Sequence, residues 1–134
     1  MKYLVAYLAA AAAFFLIDML WLGKIAKRYY REKLAPLLLE RFNFRVAALF
    51  YAVYVIGVVF FAVAPALAAG GWETAAAYGA LFGFFAYGTY DMTNLATLKR
   101  WPVSITVVDI AWGTLLTGTS AVIGYAAARA IESV

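Results

Sequence analysis

The chain has 134 residues, of which 67% are hydrophobic and 13% charged, with a formal net charge of +4 and a mean hydropathy of +0.86. Soluble domains are typically about 45–50% apolar and about 25% charged, so this composition excludes a water-soluble globule and places the chain in a bilayer. It contains no Cys and no His. That excludes disulfide frameworks, thiolate nucleophiles, the usual zinc sites, His-ligated haem and imidazole bases, and leaves any chemistry to carboxylates, amides, hydroxyls and lysine.

About 30 Å of hydrocarbon takes roughly 20 helical residues to cross. Four apolar stretches reach that length, at 3–22, 46–68, 74–95 and 105–128. None alternates apolar and polar residues as a barrel strand does, and their Ala and Leu content favours helix. The expected fold is therefore all-α, a four-transmembrane-helix bundle forming one integral membrane domain over 1–134.

The first span resembles a signal peptide in its opening Met1-Lys2 and the Ala run at 9–13. One lysine ahead of it is outweighed by the seven basic residues Lys24, Lys27, Arg28, Arg31, Lys33, Arg41 and Arg45 behind it, so the span is expected to be retained. Those residues put the first loop in the cytoplasm by the positive-inside rule, and Lys99-Arg100 then falls on the same side, with both termini outside. Ile25, Tyr29, Leu34, Leu37, Leu38 and Phe42 are interleaved with the charges, which predicts a short basic amphipathic segment lying on the membrane surface between the first two spans. Trp72 and Trp101, beside the next two connections, suit interfacial anchors.

Four of the seven acidic residues, Glu32, Glu40, Glu73 and Glu132, fall in loops or near the end of the chain. The other three, Asp18, Asp91 and Asp109, lie inside spans, where a carboxylate costs about 2.5–3.5 kcal/mol on insertion scales unless it faces inward. Each lies six to nine residues from a basic flank, which at 1.5 Å per residue is roughly 9–14 Å. Three helices thus carry an acid at one level of the cytoplasmic half. Asp18-Met-Leu-Trp21 and Asp109-Ile-Ala-Trp112 repeat a D-x-x-W pattern that puts acid and indole on one helix face, and the two indoles are expected to bracket a small pocket. In the third span Tyr87 and Asn94 share the face of Asp91, and Gly79-x-x-x-Gly83 offers a flat patch for close helix packing.

The Y-D-x-T-N-x-A-x-L-K pattern at 90–99, together with the two D-x-x-W motifs, resembles the bacterial membrane proteins of the domain of unknown function 2177 family. The likeness covers nearly the whole chain. It implies a small multi-pass protein of the bacterial inner membrane and carries no activity, substrate or cofactor with it.

Two accounts of the acids remain open. In the first they are structural, pairing with Lys24, Lys99 or Arg100 or bonding to Thr and Asn across helices. In the second, Asp18, Trp21, Tyr87, Asp91, Asn94, Asp109 and Trp112 bind a small ligand, a cation or protons, in a transporter-like protein. Four helices are few for a carrier, so a homodimer or a larger membrane complex is a candidate assembly. Alternatively, Asp18, Asp91 and Asp109 serve as catalytic acid and base in an enzyme acting on an isoprenoid or acyl lipid, or the chain is a subunit docking on a partner through Gly79 and Gly83. A hard divalent metal on carboxylates and Asn94 is open by ligand type. No cofactor is called for, the expected partners are membrane lipids, and nothing points to nucleic acid.

Overall fold

A computed structural model of the chain describes residues 1–39 and 41–132; Glu40, expected in the first loop, and the last two residues lie outside that description. The described residues form helices and connecting turns, with no strand among them. Four are long: α1 (Lys2–Ile25), α3 (Phe44–Ala69), α4 (Trp72–Thr97) and α5 (Val103–Glu132). A short one, α2 (Lys27–Leu34), lies in the basic segment between α1 and α3. By length and apolar content α1, α3 and α5 each suffice to cross a membrane. α4 has the length, with 26 residues, but its Tyr, Thr, Asn and Asp side chains make it more polar.

Local sequence explains the helix ends. The Asn43 side chain accepts a hydrogen bond from the Val46 amide at 3.2 Å and caps α3. Gly70 and Gly71 break the chain between α3 and α4. Arg100, at φ 63°, turns the chain after α4, and Pro102 stands just ahead of α5, where a missing amide hydrogen costs nothing. Pro65 lies inside α3; its ring crowds the carbonyl one turn back at Phe61, and the helix widens there into a π turn over Val59–Val63. A second π turn, Trp21–Ile25, ends α1.

The long helices run up and down, so Met1 and Glu132 share one end of the bundle, where Lys2 and Glu132 pair at 3.1 Å. The basic segment and Lys99-Arg100 share the other. The tightest packing is α4 on α5, followed by α1 on α5. Gly79 and Gly83 are buried in the first of these interfaces: a Cβ at Gly79 would stand 2.7 Å from Ala121 Cβ, and one at Gly83 2.7 Å from Thr117 Cβ. The flat patch is therefore used within the chain, which corrects the expectation that it docks a partner. Gly124 does the same for α1, a Cβ there meeting the Ala6 carbonyl at 2.9 Å. Phe14, Val58, Val63, Leu116 and Ala121 fill the middle of the bundle with no more than 1% exposure.

α3 is held differently along its length. Its Val59–Val63 turn packs on α4, whereas the backbone of its first half, Phe44–Val58, keeps away from α4 and lies against α1. Rings bridge that gap: Tyr54 stacks with Phe82 at 5.2 Å and meets Tyr87 edge-on at 6.4 Å.

Candidate functional site

α1 and α5 are antiparallel, and their register sets the site. Ala6 and Ala10 face Gly124 near one end; the same number of residues further along each helix, Asp18 faces Trp112. The Trp112 indole donates a 3.0 Å hydrogen bond to Asp18 Oδ1. The reciprocal pair is joined through a third residue: the Trp21 indole donates to the Tyr30 hydroxyl at 3.4 Å, which donates to Asp109 Oδ1 at 3.0 Å. Between them the two indoles stack at 4.3 Å with an 11° interplanar angle. Trp21 and Trp112 therefore do not bracket a pocket. They form one flat block, and each serves the aspartate of the opposite helix.

That geometry explains the repeat of D-x-x-W. An acid and an indole on one helix face, set antiparallel to a copy of themselves, turn each indole towards the other helix's carboxylate, Trp112 reaching Asp18 directly and Trp21 reaching Asp109 through Tyr30. Hydrogen bonds to a charged acceptor contribute about 1.5–3 kcal/mol each, which offsets part of the cost of holding Asp18, only 6% exposed, inside the bundle. Tyr30 supplies the second donor from α2, so the basic segment is tied to the bundle by its aromatic face while Arg28, Arg31 and Lys33 stay exposed. Burial, and then the nearby Asp109 charge, push the Tyr30 hydroxyl above its usual value of 10.0, so it remains a donor across the neutral range.

Beside this block lies a cavity of about 450 Å³. Asp18, Asp91 and Asp109 all line it, with Tyr87 and Trp112; further walls come from Leu22, Tyr30, Leu34, Phe50, Tyr51, Tyr54, Ala86, Tyr90, Trp101 and Ile105. Trp21 and Asn94 do not line it. Trp21 is behind Trp112, and Asn94 approaches Tyr90. Trp101, expected as an interfacial anchor, is a wall residue: its indole donates to Thr106 Oγ1 at 3.0 Å and its ring meets Tyr90 edge-on at 5.9 Å.

The three acids differ in what satisfies them. Trp112 serves Asp18, with Tyr51 also beside it, and Tyr30 serves Asp109. Asp91 is 0% exposed, and neither of its oxygens has a hydrogen-bond partner. The charged group next to it is Asp109, another acid. Among the described residues the ion pairs are Lys2–Glu132, Arg28–Glu32 and Arg129–Glu132, so Lys24, Lys99 and Arg100 do not neutralise the aspartates as the structural account expected. No trio of acidic side chains among the described residues is gathered closely enough to hold a metal ion.

Sequence reasoning missed Tyr30 and Leu34 as parts of this site. The signal was faint: α2, Lys-Arg-Tyr-Tyr-Arg-Glu-Lys-Leu, is charged except for Tyr29, Tyr30 and Leu34, and the last two, four residues apart, mark the face turned inward. Tyr51 and Tyr54 of α3 belong to the cavity wall as well, and Tyr54 also bonds to Thr117 at 2.9 Å.

A bundle of helices this long and apolar, with acids turned inward, defines an α-helical integral membrane protein. The chain belongs to the family described as "Predicted membrane protein (DUF2177)", whose model matches residues 3–126. No curated protein and no solved structure matches it.

Proposed function

We propose that the chain is a ligand-binding, transporter-like protein of the bacterial inner membrane, with the basic end in the cytoplasm, both termini outside, and the ligand held in the cavity of the inner-leaflet half. The orientation rests on the basic residues of the first loop and on Lys99-Arg100. The function rests on one observation: Asp91 is wholly buried beside the cavity with no donor from the rest of the chain, its near neighbour being another acid, Asp109. A buried carboxyl without a partner costs several kcal/mol. A residue kept in that condition, when Asp18 and Asp109 on the neighbouring helices have donors, is suited to receiving its partner from outside the chain. Cations and protons are what a carboxylate receives.

The gap between the first half of α3 and α4 favours a second reading, an enzyme that admits an isoprenoid or acyl substrate sideways and uses Asp91 as its acid. Lipid turnover by purified protein, lost in Asp91→Asn, would support that reading over a carrier.

Intrinsic fluorescence tests the binding reading, because Trp101 and Trp112 line the cavity and Trp21 stacks on Trp112. Protein in lipid nanodiscs is titrated with potassium, magnesium, tetramethylammonium and decyltrimethylammonium salts and with acid. The expected result is a saturable change with at least one probe in the wild type, lost in Asp91→Asn at unchanged helical content. No saturable change with any probe, or the same change in Asp91→Asn, overturns the reading.

A further inference from the structure

We propose that the ligand is a lipophilic organic cation, an ammonium head on an apolar body, that reaches Asp91 sideways from the inner leaflet between α3 and α4. This inference rests on the binding reading above and narrows it to a substrate class.

Charge gives the first step. Every charged residue lining the cavity is an acid, so an anion has nothing to meet there and a cation does. Coordination number gives the second. A hard metal ion needs several oxygens converging on one point, and no such trio exists among the described residues. Two of the three carboxylates already accept bonds from Trp112 and Tyr30, leaving Asp91, beside Asp109, without a donor, which suits a monovalent head better than a bare divalent ion.

The walls give the third step. Tyr51, Tyr54, Tyr87, Tyr90 and Trp101 line the same cavity as Asp91. Rings attract a cation by their quadrupole, more strongly when water is excluded, and they do so best for alkylated ammonium, whose charge is spread and weakly hydrated. Size gives the fourth. About 450 Å³ is the volume of a site for a drug-sized molecule, well beyond an ammonium head alone, so an apolar body accompanies the head.

The route is the last step. Phe50 of α3 and Tyr90 of α4 both line the cavity while remaining 60% and 57% exposed, so the cavity wall is open along these two helices. There the backbones of α3 and α4 stay apart. An apolar body lying in that gap stays in hydrocarbon while its head meets Asp91. Towards the terminal end the way is closed by Phe14, Val58 and Leu116.

The test is competition of matched probes in nanodiscs, read by tryptophan fluorescence. Decyltrimethylammonium, below its micelle concentration, is expected to saturate and to bind at least tenfold more tightly than tetramethylammonium, which has the head alone. Decanol, which has the tail alone, is expected to give no saturable change. Asp91→Asn is expected to weaken the decyltrimethylammonium site at least tenfold, and Ala86→Phe, which fills the cavity and leaves every acid in place, to do the same. Saturable, Asp91-dependent binding of magnesium or protons without decyltrimethylammonium overturns this inference and leaves the binding reading standing. Equal binding of decanol and decyltrimethylammonium overturns it too. Failure of every probe overturns both.

Discussion

The two halves of the bundle solve the problem of helix association in lipid in opposite ways. Near the termini, small residues let backbones touch: Gly79 and Gly83 of α4 lie on Thr117, Gly118 and Ala121 of α5, and Gly124 lies on Ala6 and Ala10 of α1. Near the basic end, large rings hold the helices apart, and hydrogen bonds from Trp112 and Tyr30 hold them in register around a cavity. Close packing makes the first half a rigid clamp. The second is hollow because its side chains are too large and too polar to interdigitate, and the clamp makes that hollow tolerable.

The comparison is broken most severely at the clamp. Gly83→Leu puts a branched side chain where even a Cβ meets Thr117 Cβ at 2.7 Å. Overpacking of this kind costs about 1–3 kcal/mol and sometimes more, so folded yield in mild detergent and the melting temperature should both fall sharply. A variant that melts like the wild type would show that α4 and α5 are not packed on their glycines.

Next in size is Trp112→Phe, which keeps a ring but leaves Asp18, only 6% exposed, without its indole donor. A loss of about 1.5–3 kcal/mol is expected, that of one hydrogen bond to a charged acceptor, with Tyr51 still beside Asp18. Chemical denaturation of wild type, Trp112→Phe, Asp18→Asn and the double variant measures it. The two changes should be markedly non-additive, since they remove the same bond.

Tyr30→Phe is gentler. It removes the link from α2 to Asp109, a loss of about 1 kcal/mol, and hydrogen exchange in Lys27–Leu34 should rise while the long helices are unaffected. The same link has a sign with pH. Because the folded protein holds the Tyr30 proton above the usual 10.0, its contribution is complete below that pH and is lost as the pH rises further. An alkaline exchange profile that is identical in wild type and Tyr30→Phe would contradict the tie.

The smallest stability effect is expected at Asp91→Asn. No donor is lost with the charge, because the group beside Asp91 is another acid, Asp109, so melting should be unchanged or slightly raised while cation binding disappears. A large destabilisation would mean that Asp91 serves the fold, and would move the hollow half into the same class as the clamp.

How much of this was legible in the sequence follows from the same division. The helical class was readable because hydropathy and charge placement are properties of each helix taken singly, and the Gly79-x-x-x-Gly83 patch announced close packing, though not that α5 would occupy it. The convergence of Asp18, Asp91 and Asp109 on one cavity rests on their depth along each helix, which sequence counts give, and on rotation about each axis, which only packing fixes. Trp21 and Asn94 fell outside the cavity for that reason. The π turn at Trp21–Ile25 offsets Trp21 from a regular helix, and Asn94 turns to Tyr90. Tyr30 was hidden because its partner is far away in sequence, and a tyrosine in a basic loop carries no local mark of the acid it will meet.

The contrast between a hollow half and a sealed one can be measured directly because the natural chain has no cysteine. Single variants Ala86→Cys, at the cavity wall, and Ala121→Cys, in the clamp, are treated in membranes with a small methanethiosulfonate reagent, with and without decyltrimethylammonium. The account predicts that Ala86→Cys reacts, and more slowly with the cation present, while Ala121→Cys stays unmodified. Equal reactivity at the two positions, or none at Ala86→Cys, would contradict it.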